Sequence, residues 1–136
     1  MKTRFMILGV ILLTGLTLIG CGGASNQDIQ EFLAVMEADN YVFTQRDEDA
    51  MNYYEENMIN VKYDLDVEVS DLYVGYVNSS ERWAEVIILA SEAQATAFQS
   101  ALNAEAEAGR LVLRDGSIVL ITFSTATVSL FNTTKG

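Results

Sequence analysis

The chain has 136 residues, half of them apolar and a fifth charged, the balance of one globular domain with a single core. It carries no histidine, which removes Ser-His and Cys-His nucleophilic catalysis and histidine-ligated metal sites. A formal charge of −11, with Arg46, Lys62, Arg82, Arg110, Arg114 and Lys135 scattered along the chain, argues against a nucleic-acid partner, because phosphate binding needs clustered cations.

Lys2 and Arg4 open the chain, and Phe5 to Gly20 (FMILGVILLTGLTLIG) then runs without a charge, the order of a secretory signal. Gly9, Thr14, Gly15 and Thr17 interrupt this run, which is short of the about 20 apolar residues a spanning helix needs. At its end Leu18-Ile19-Gly20-Cys21 resembles the lipobox of bacterial lipoprotein signal peptides: Leu at −3, a small residue at −1, then cysteine. Ile19 departs from the Ala or Ser that is commoner there. The resemblance covers the first 21 residues, and it implies cleavage between Gly20 and Cys21 with a diacylglyceryl group on the Cys21 sulfur. Two acyl chains, at about 0.8 kcal/mol per buried methylene, make a stable anchor where one is marginal. Gly22 and Gly23 leave the backbone open to a processing enzyme.

Residues 1–20 are therefore expected to be a signal peptide, 21–26 the lipidated cysteine and a short tether, and 27–136 a single domain. Gly22 to Asn26 reach roughly 18 Å at most, which would hold the domain close to the membrane. Cys21 is the only cysteine, so its lipidation leaves no thiol for disulfides, CxxC redox chemistry or a nucleophile. Loss of Lys2 and Arg4 from the −11 chain leaves −13, a soluble and self-repelling surface.

Ile29, Phe32, Leu33 and Met36 follow a Ser25 or Asn26 cap at i, i+3, i+4 and i+7, which predicts an amphipathic helix stopped by a left-handed Asn40. Residues 41–44 (YVFT) read as a short strand, and 47–59 (DEDAMNYYEENMI) as a second helix with acids in its first turn and Met51, Tyr54 and Met58 on one face. Tyr63, Leu65, Val67 and Val69 alternate with Lys62, Asp64, Asp66 and Glu68, predicting a half-buried strand. A turn or bulge at Ser70-Asp71 precedes Leu72 to Val77. The NSSER segment reads as a loop, and WAEVIILA (83–90) as a strand that is central because Val86 to Leu89 are apolar on both faces.

Ser91 and Gln94 form a capping-box signature before an alanine-rich helix closed by Gly109, with Phe98, Ala101 and Leu102 toward the sheet. LVLRDGSIVLITF has two apolar runs flanking Asp115-Gly116, a tight hairpin with a primed turn. The last stretch, STATVSLFN, admits a strand or a short helix capped by Ser124, and the helix is preferred. This order predicts an α+β fold, a mainly antiparallel sheet with helices packed on one face. Its late strand-helix-strand-strand pattern is similar to half of a ferredoxin-like unit, a topology that licenses no function.

Neither a P-loop nor GxGxxG is present. Asp64, Asp66 and Glu68 fall on one face of the expected strand, but i and i+2 side chains lie about 6.6 Å apart there, too far to wrap one ion. Asp47 and Asp49 begin a calcium-loop spacing, with Met51 in the next ligand place and Asn52 where glycine belongs. These acids read as a solvated face. Tyr53, Tyr54, Tyr73, Tyr76 and Trp83 could make an exposed aromatic patch for an envelope protein or glycan, or be core and rim of a small sheet. The expected protein is thus a lipoprotein held on the extracytoplasmic face of a bacterial membrane. Its acidic domain is a non-enzymatic binding module with no catalytic residue, metal or cofactor. The rival reading is a small carboxylate-dependent hydrolase or a calcium-linked module.

Overall fold

The computed structural model describes residues 29–77 and 82–134. The expected signal peptide, tether, Gly20 and Cys21, and most of the NSSER loop, lie outside the described residues. Helix α1 covers 29–38 and buries Ile29, Phe32, Leu33 and Met36, the expected stripe. Asn40 ends it with φ 71°, a left-handed position that Asn tolerates better than most side chains. Strand β1 is Val42–Gln45.

Helix α2 opens at Glu48–Tyr53, where the Asp47 carboxylate accepts the Ala50 N–H at 2.9 Å, with Glu48 and Asp49 in the first turn. It widens to a π-helix over Tyr54–Asn60, closes with an α turn over Val61–Tyr63, and stops at a left-handed Asp64. The strand expected from Lys62 onward is therefore corrected: Tyr63 belongs to the helix, four residues after the buried Ile59, and its ring lies 6.1 Å from that of Phe98. Asn60 then takes both backbone groups of Val67, accepting its N–H at 2.8 Å and donating to its carbonyl at 3.0 Å. Residues 65–68 thus run as irregular backbone, satisfied in part by a side chain where a ladder was expected. Strand β2 begins at Val69 and runs to Tyr76, with the register shift between Val69 and Asp71 that the Ser70-Asp71 step led one to expect.

Strand β3 is Trp83–Leu89, and helix α3 is Glu92–Ala104. The Ser91 hydroxyl accepts the Gln94 N–H at 3.2 Å, as a cap should, while the Gln94 side chain accepts the Glu68 N–H at 2.8 Å. Strands β4 (Leu111–Asp115) and β5 (Ile118–Thr122) form the hairpin. Asp115 pairs with Ile118, so the loop residues are Gly116 and Ser117, with φ +62° at Gly116. That sign at the first loop residue suits a primed turn and favours glycine. Helix α4, Thr125–Thr134, settles the last stretch as helix, with the Ser124 hydroxyl accepting the Thr127 N–H at 3.4 Å.

The fold is α+β: a five-stranded sheet in the order β1-β2-β3-β5-β4, antiparallel at every pairing, with four helices. The helices do not share one face, and that part of the expectation is corrected. Val86, Ile88, Ile118 and Leu120 pack with α1 and with Phe131 of α4. Ile87, Leu89, Val119 and Ile121 pack with Ile59 of α2 and with Ala95, Phe98 and Leu102 of α3. Strands β3 and β5 are apolar on alternate and intervening residues alike, so leaving either face bare would expose a row of branched side chains to water. The face under α1 and α4 buries Ala84, Val86, Ile88, Ile118 and Leu120 at its centre, with Gln45, Asp71 and Asp115 on the same alternation at its margins. Its thin place at Gly75 is covered by Phe43, the residue opposite, and a Cβ on Gly75 would stand 2.4 Å from that ring.

A candidate binding cleft on the second face

Cross-strand pairing assembles the site. Val42 lies opposite Tyr76 and Tyr76 opposite Trp83, while Thr122 pairs with Ala84 and brings Phe123 beside Trp83, ring centroids 5.9 Å apart. Leu72 and Ile87 on the same strands point to the α2–α3 face, so by alternation Tyr76 and Trp83 do too. The row Val42–Tyr76–Trp83–Phe123 therefore crosses four adjacent strands, about 14 Å at the usual spacing, beyond the part of the sheet that α2 and α3 cover. Thr122, fully buried, donates its hydroxyl to the Trp83 carbonyl at 2.7 Å and accepts the Ser124 N–H at 3.1 Å, which fixes the two aromatic strand ends together.

Between this row and α2 opens a cleft of about 170 Å³, walled by Tyr54, Met58, Trp83, Phe98 and Phe123 with Glu85 also lining it. A second hollow beside it, lined by Arg46, Tyr53, Leu72 and Val74, shares Tyr54, Met58 and Glu85. Glu85 stands in central strand β3 between Val74 and Ile121. Tyr54 donates its hydroxyl to Glu85 Oε1 at 2.5 Å. Burial pushes the Glu85 carboxyl up from its ordinary value, against the opposing pull of the Tyr54 hydrogen bond. Burial, and then the neighbouring Glu85 charge, hold the Tyr54 phenol well above 10, so at neutral pH it is a donor and not a phenolate.

The cations at the cleft are committed elsewhere. Arg110, with a side chain only 7% exposed, binds the carboxylates of Glu105 at 3.1 Å and Glu107 at 2.8 Å. Its other nitrogen donates to the carbonyls of Leu102 and Glu105 at 2.5 and 2.6 Å, closing the C-terminus of α3. The expectation that Gly109 closes this helix is corrected: α3 ends at Ala104, with Glu105 as an extended C-cap, and Gly109, with φ +79°, instead turns the chain ahead of β4. Lys62 reaches Glu105 at 3.3 Å, and Tyr63 donates to the same oxygen at 2.9 Å. Hydrogen bonds from Tyr63 and then Arg110 lower the Glu105 pKa. Among the described residues the ion pairs engage Asp39, Glu92, Glu105 and Glu107, and none engages Glu85.

The aromatic residues read from sequence divide. Tyr53 and Tyr76 are exposed, Tyr54 and Trp83 line the cleft at intermediate exposure, and Tyr73 is buried toward α1. Asp64, Asp66 and Glu68 are exposed on irregular backbone, and Asp47 is spent on capping α2. Among the described residues no group of three carboxylates is placed to hold a metal ion, and no helix is long and apolar enough to cross a membrane. Glu85 and Arg110 were missed by sequence reasoning. The signal for Glu85 was present: it is the one charge in WAEVIILA, on the same alternation as Ile87 and Leu89. Compared with known protein families, with curated proteins and with solved structures, the chain matches none.

Proposed function

We propose that this is a lipid-anchored bacterial lipoprotein, displayed on the extracytoplasmic side of a membrane, whose acidic domain is a non-enzymatic binding module that uses the cleft and the aromatic row. The observation that carries the binding reading is where the exposed apolar side chains fall. Among the described residues the large ones, between 42% and 67% exposed, are Val42, Tyr53, Met58, Val61, Tyr76 and Phe123. All belong to α2 or to the uncovered row, and none to α1, α3 or α4. Apolar surface gathered on one side and rimmed by charge is characteristic of interaction sites. The anchor reading rests on the sequence alone: the charged start at Lys2 and Arg4, the uncharged run from Phe5 to Gly20, and Leu18-Ile19-Gly20-Cys21 at its end.

Two experiments test these halves. Cys21→Ala should abolish incorporation of labelled fatty acid, and equal labelling of wild type and variant would sink the anchor. Titration with n-butanol, a small neutral apolar probe, should shift the emission of Trp83, the single tryptophan, and move amide resonances of the cleft. The absence of any response at Trp83 and Phe123 would remove the binding reading.

A further inference from the structure

We infer that the cleft receives an organic cation, an ammonium or guanidinium group on an apolar stem, held by the Glu85 carboxylate between the rings of Tyr54, Trp83 and Phe123. This deepens the binding reading and rests on it.

Four observations converge. Glu85 has Tyr54 as a neutral hydrogen-bond partner and, among the described residues, no ion-pair partner, although Arg110 and Lys62 line the same cleft. Those two are already held by Glu105, Glu107 and backbone carbonyls, so of the two carboxylates lining the cleft Glu107 has its cation and, among the described residues, Glu85 has none. The walls suit a cation: faces of Trp and Tyr attract one, most strongly where water is thinned out. An ammonium near Glu85 would also offset the cost of holding a carboxylate in a partly buried place. An anionic ligand would meet that carboxylate and a chain of charge −11.

Size narrows the class. At about 170 Å³ the cleft is smaller than the about 300–1,000 Å³ typical of sites that enclose a drug-sized ligand. It can take one head group or one side-chain tip. The remainder of the ligand lies outside it, along the apolar row from Trp83 to Val42 or in the neighbouring hollow of about 440 Å³ that shares Tyr54, Met58 and Glu85. The shared chemistry is thus a cation with an apolar extension, whether the side chain of a basic peptide or a small amphiphilic amine.

The test compares n-butylammonium with n-butanol, of similar size, on the full chain in nonionic detergent, read by Trp83 emission and by amide shifts. Wild type should bind the ammonium at least about tenfold more tightly, the order a single desolvated cation–π and charge contact supplies. Glu85→Gln should reduce that ratio severalfold through weaker ammonium binding, to what the rings alone supply; Trp83→Ala should weaken both probes. Preserved dispersion of the amide spectrum identifies variants that remain folded, and Glu85→Asp, which keeps the charge, should retain part of the preference.

Equal binding of the two probes by wild type would overturn the cation while leaving the apolar cleft standing. Binding of neither would overturn both. A preference unchanged in Glu85→Gln would assign it to the acidity of the whole chain and overturn the role of this site. A final arm uses an acetylated, amidated lysine against its norleucine counterpart. Tighter binding than butylammonium favours a peptide source, and weaker binding a small amine; a preference for norleucine contradicts the proposal.

Discussion

The two faces of the sheet are built from the same strands but finished differently. Under α1 and α4 the centre is apolar and the polar groups are paired among themselves: the Tyr41 and Thr127 hydroxyls bond each other, and at the margin Asp71 accepts from Gln45 and from the Tyr73 hydroxyl. Under α2 and α3 the core has the same branched residues, Ile87, Leu89, Val119 and Ile121, yet the next position on β3 is Glu85 and the one beyond is Trp83. One face spends its side chains on closure. The other sets a carboxylate into the central strand and leaves its aromatic end uncovered, at a cost in desolvation that folding alone does not require. The contrast marks the second face as the one shaped by something other than stability.

The largest effects should come from the closed face. Phe32, buried and edge-on to Phe131 with centroids 5.1 Å apart, should cost about 3–5 kcal/mol on change to alanine, seen as a lower thermal midpoint. The butanol response per folded molecule should not change; a specific loss of probe binding would break the separation of the faces. Arg110→Ala should come next, at about 3 kcal/mol, since it strips two carbonyls and two carboxylates of a charged donor. Because it ends α3 beside the cleft, it should also loosen the amides of residues 102–110 in hydrogen exchange.

Tyr54→Phe should cost about 2 kcal/mol where Glu85 is ionised, because it leaves a largely buried carboxylate without its donor. Glu85→Gln works in the opposite sense. The folded pKa of Glu85 lies above the ordinary 4.5, so the folded state holds the proton more tightly than the unfolded state. The stability this confers is complete below that ordinary value and is lost as pH rises through the raised one. Melts should therefore show Glu85→Gln gaining on wild type as pH climbs from 4 to 8, with the gap closing toward pH 4. A wild type that gains relative to the variant over that range would contradict the electrostatic account of the second face. Smallest of all is the effect of calcium. Asp64, Asp66 and Glu68 sit exposed on irregular backbone, so melts with calcium, magnesium and sodium at matched ionic strength should agree; a calcium-specific rise that Asp64→Asn abolishes would restore the metal-linked reading.

What the sequence made legible was local. The Asn40 stop, the Ser91 and Ser124 caps and the hairpin at Gly116 each follow from backbone chemistry within a few residues. The centrality of β3 was also readable, because residues 86–89 have no polar side to turn outward. That reading already implied cover on both faces. The one-face arrangement failed because it weighed helices by their order in the chain and not by the apolar surface the strands demand. The run from Lys62 to Val69 misled for another reason: Tyr63 satisfies the two-residue alternation and the i+4 spacing from Ile59 equally well, and only packing against Phe98 chooses. The cleft was the least legible. Tyr54, Trp83 and Phe123 are far apart in sequence and meet through strand register, and Glu85 acquires meaning only from which cations its neighbours have already taken.

Ligands should settle at the uncovered end of the second face. Intermolecular NOEs between the n-butanol methyl group and the protein side chains measure this directly. They should appear at Trp83, Phe123, Met58 and Tyr76 and be absent at Phe32, Met36 and Phe131. NOEs confined to the α1–α4 face, or spread evenly over both, would contradict it.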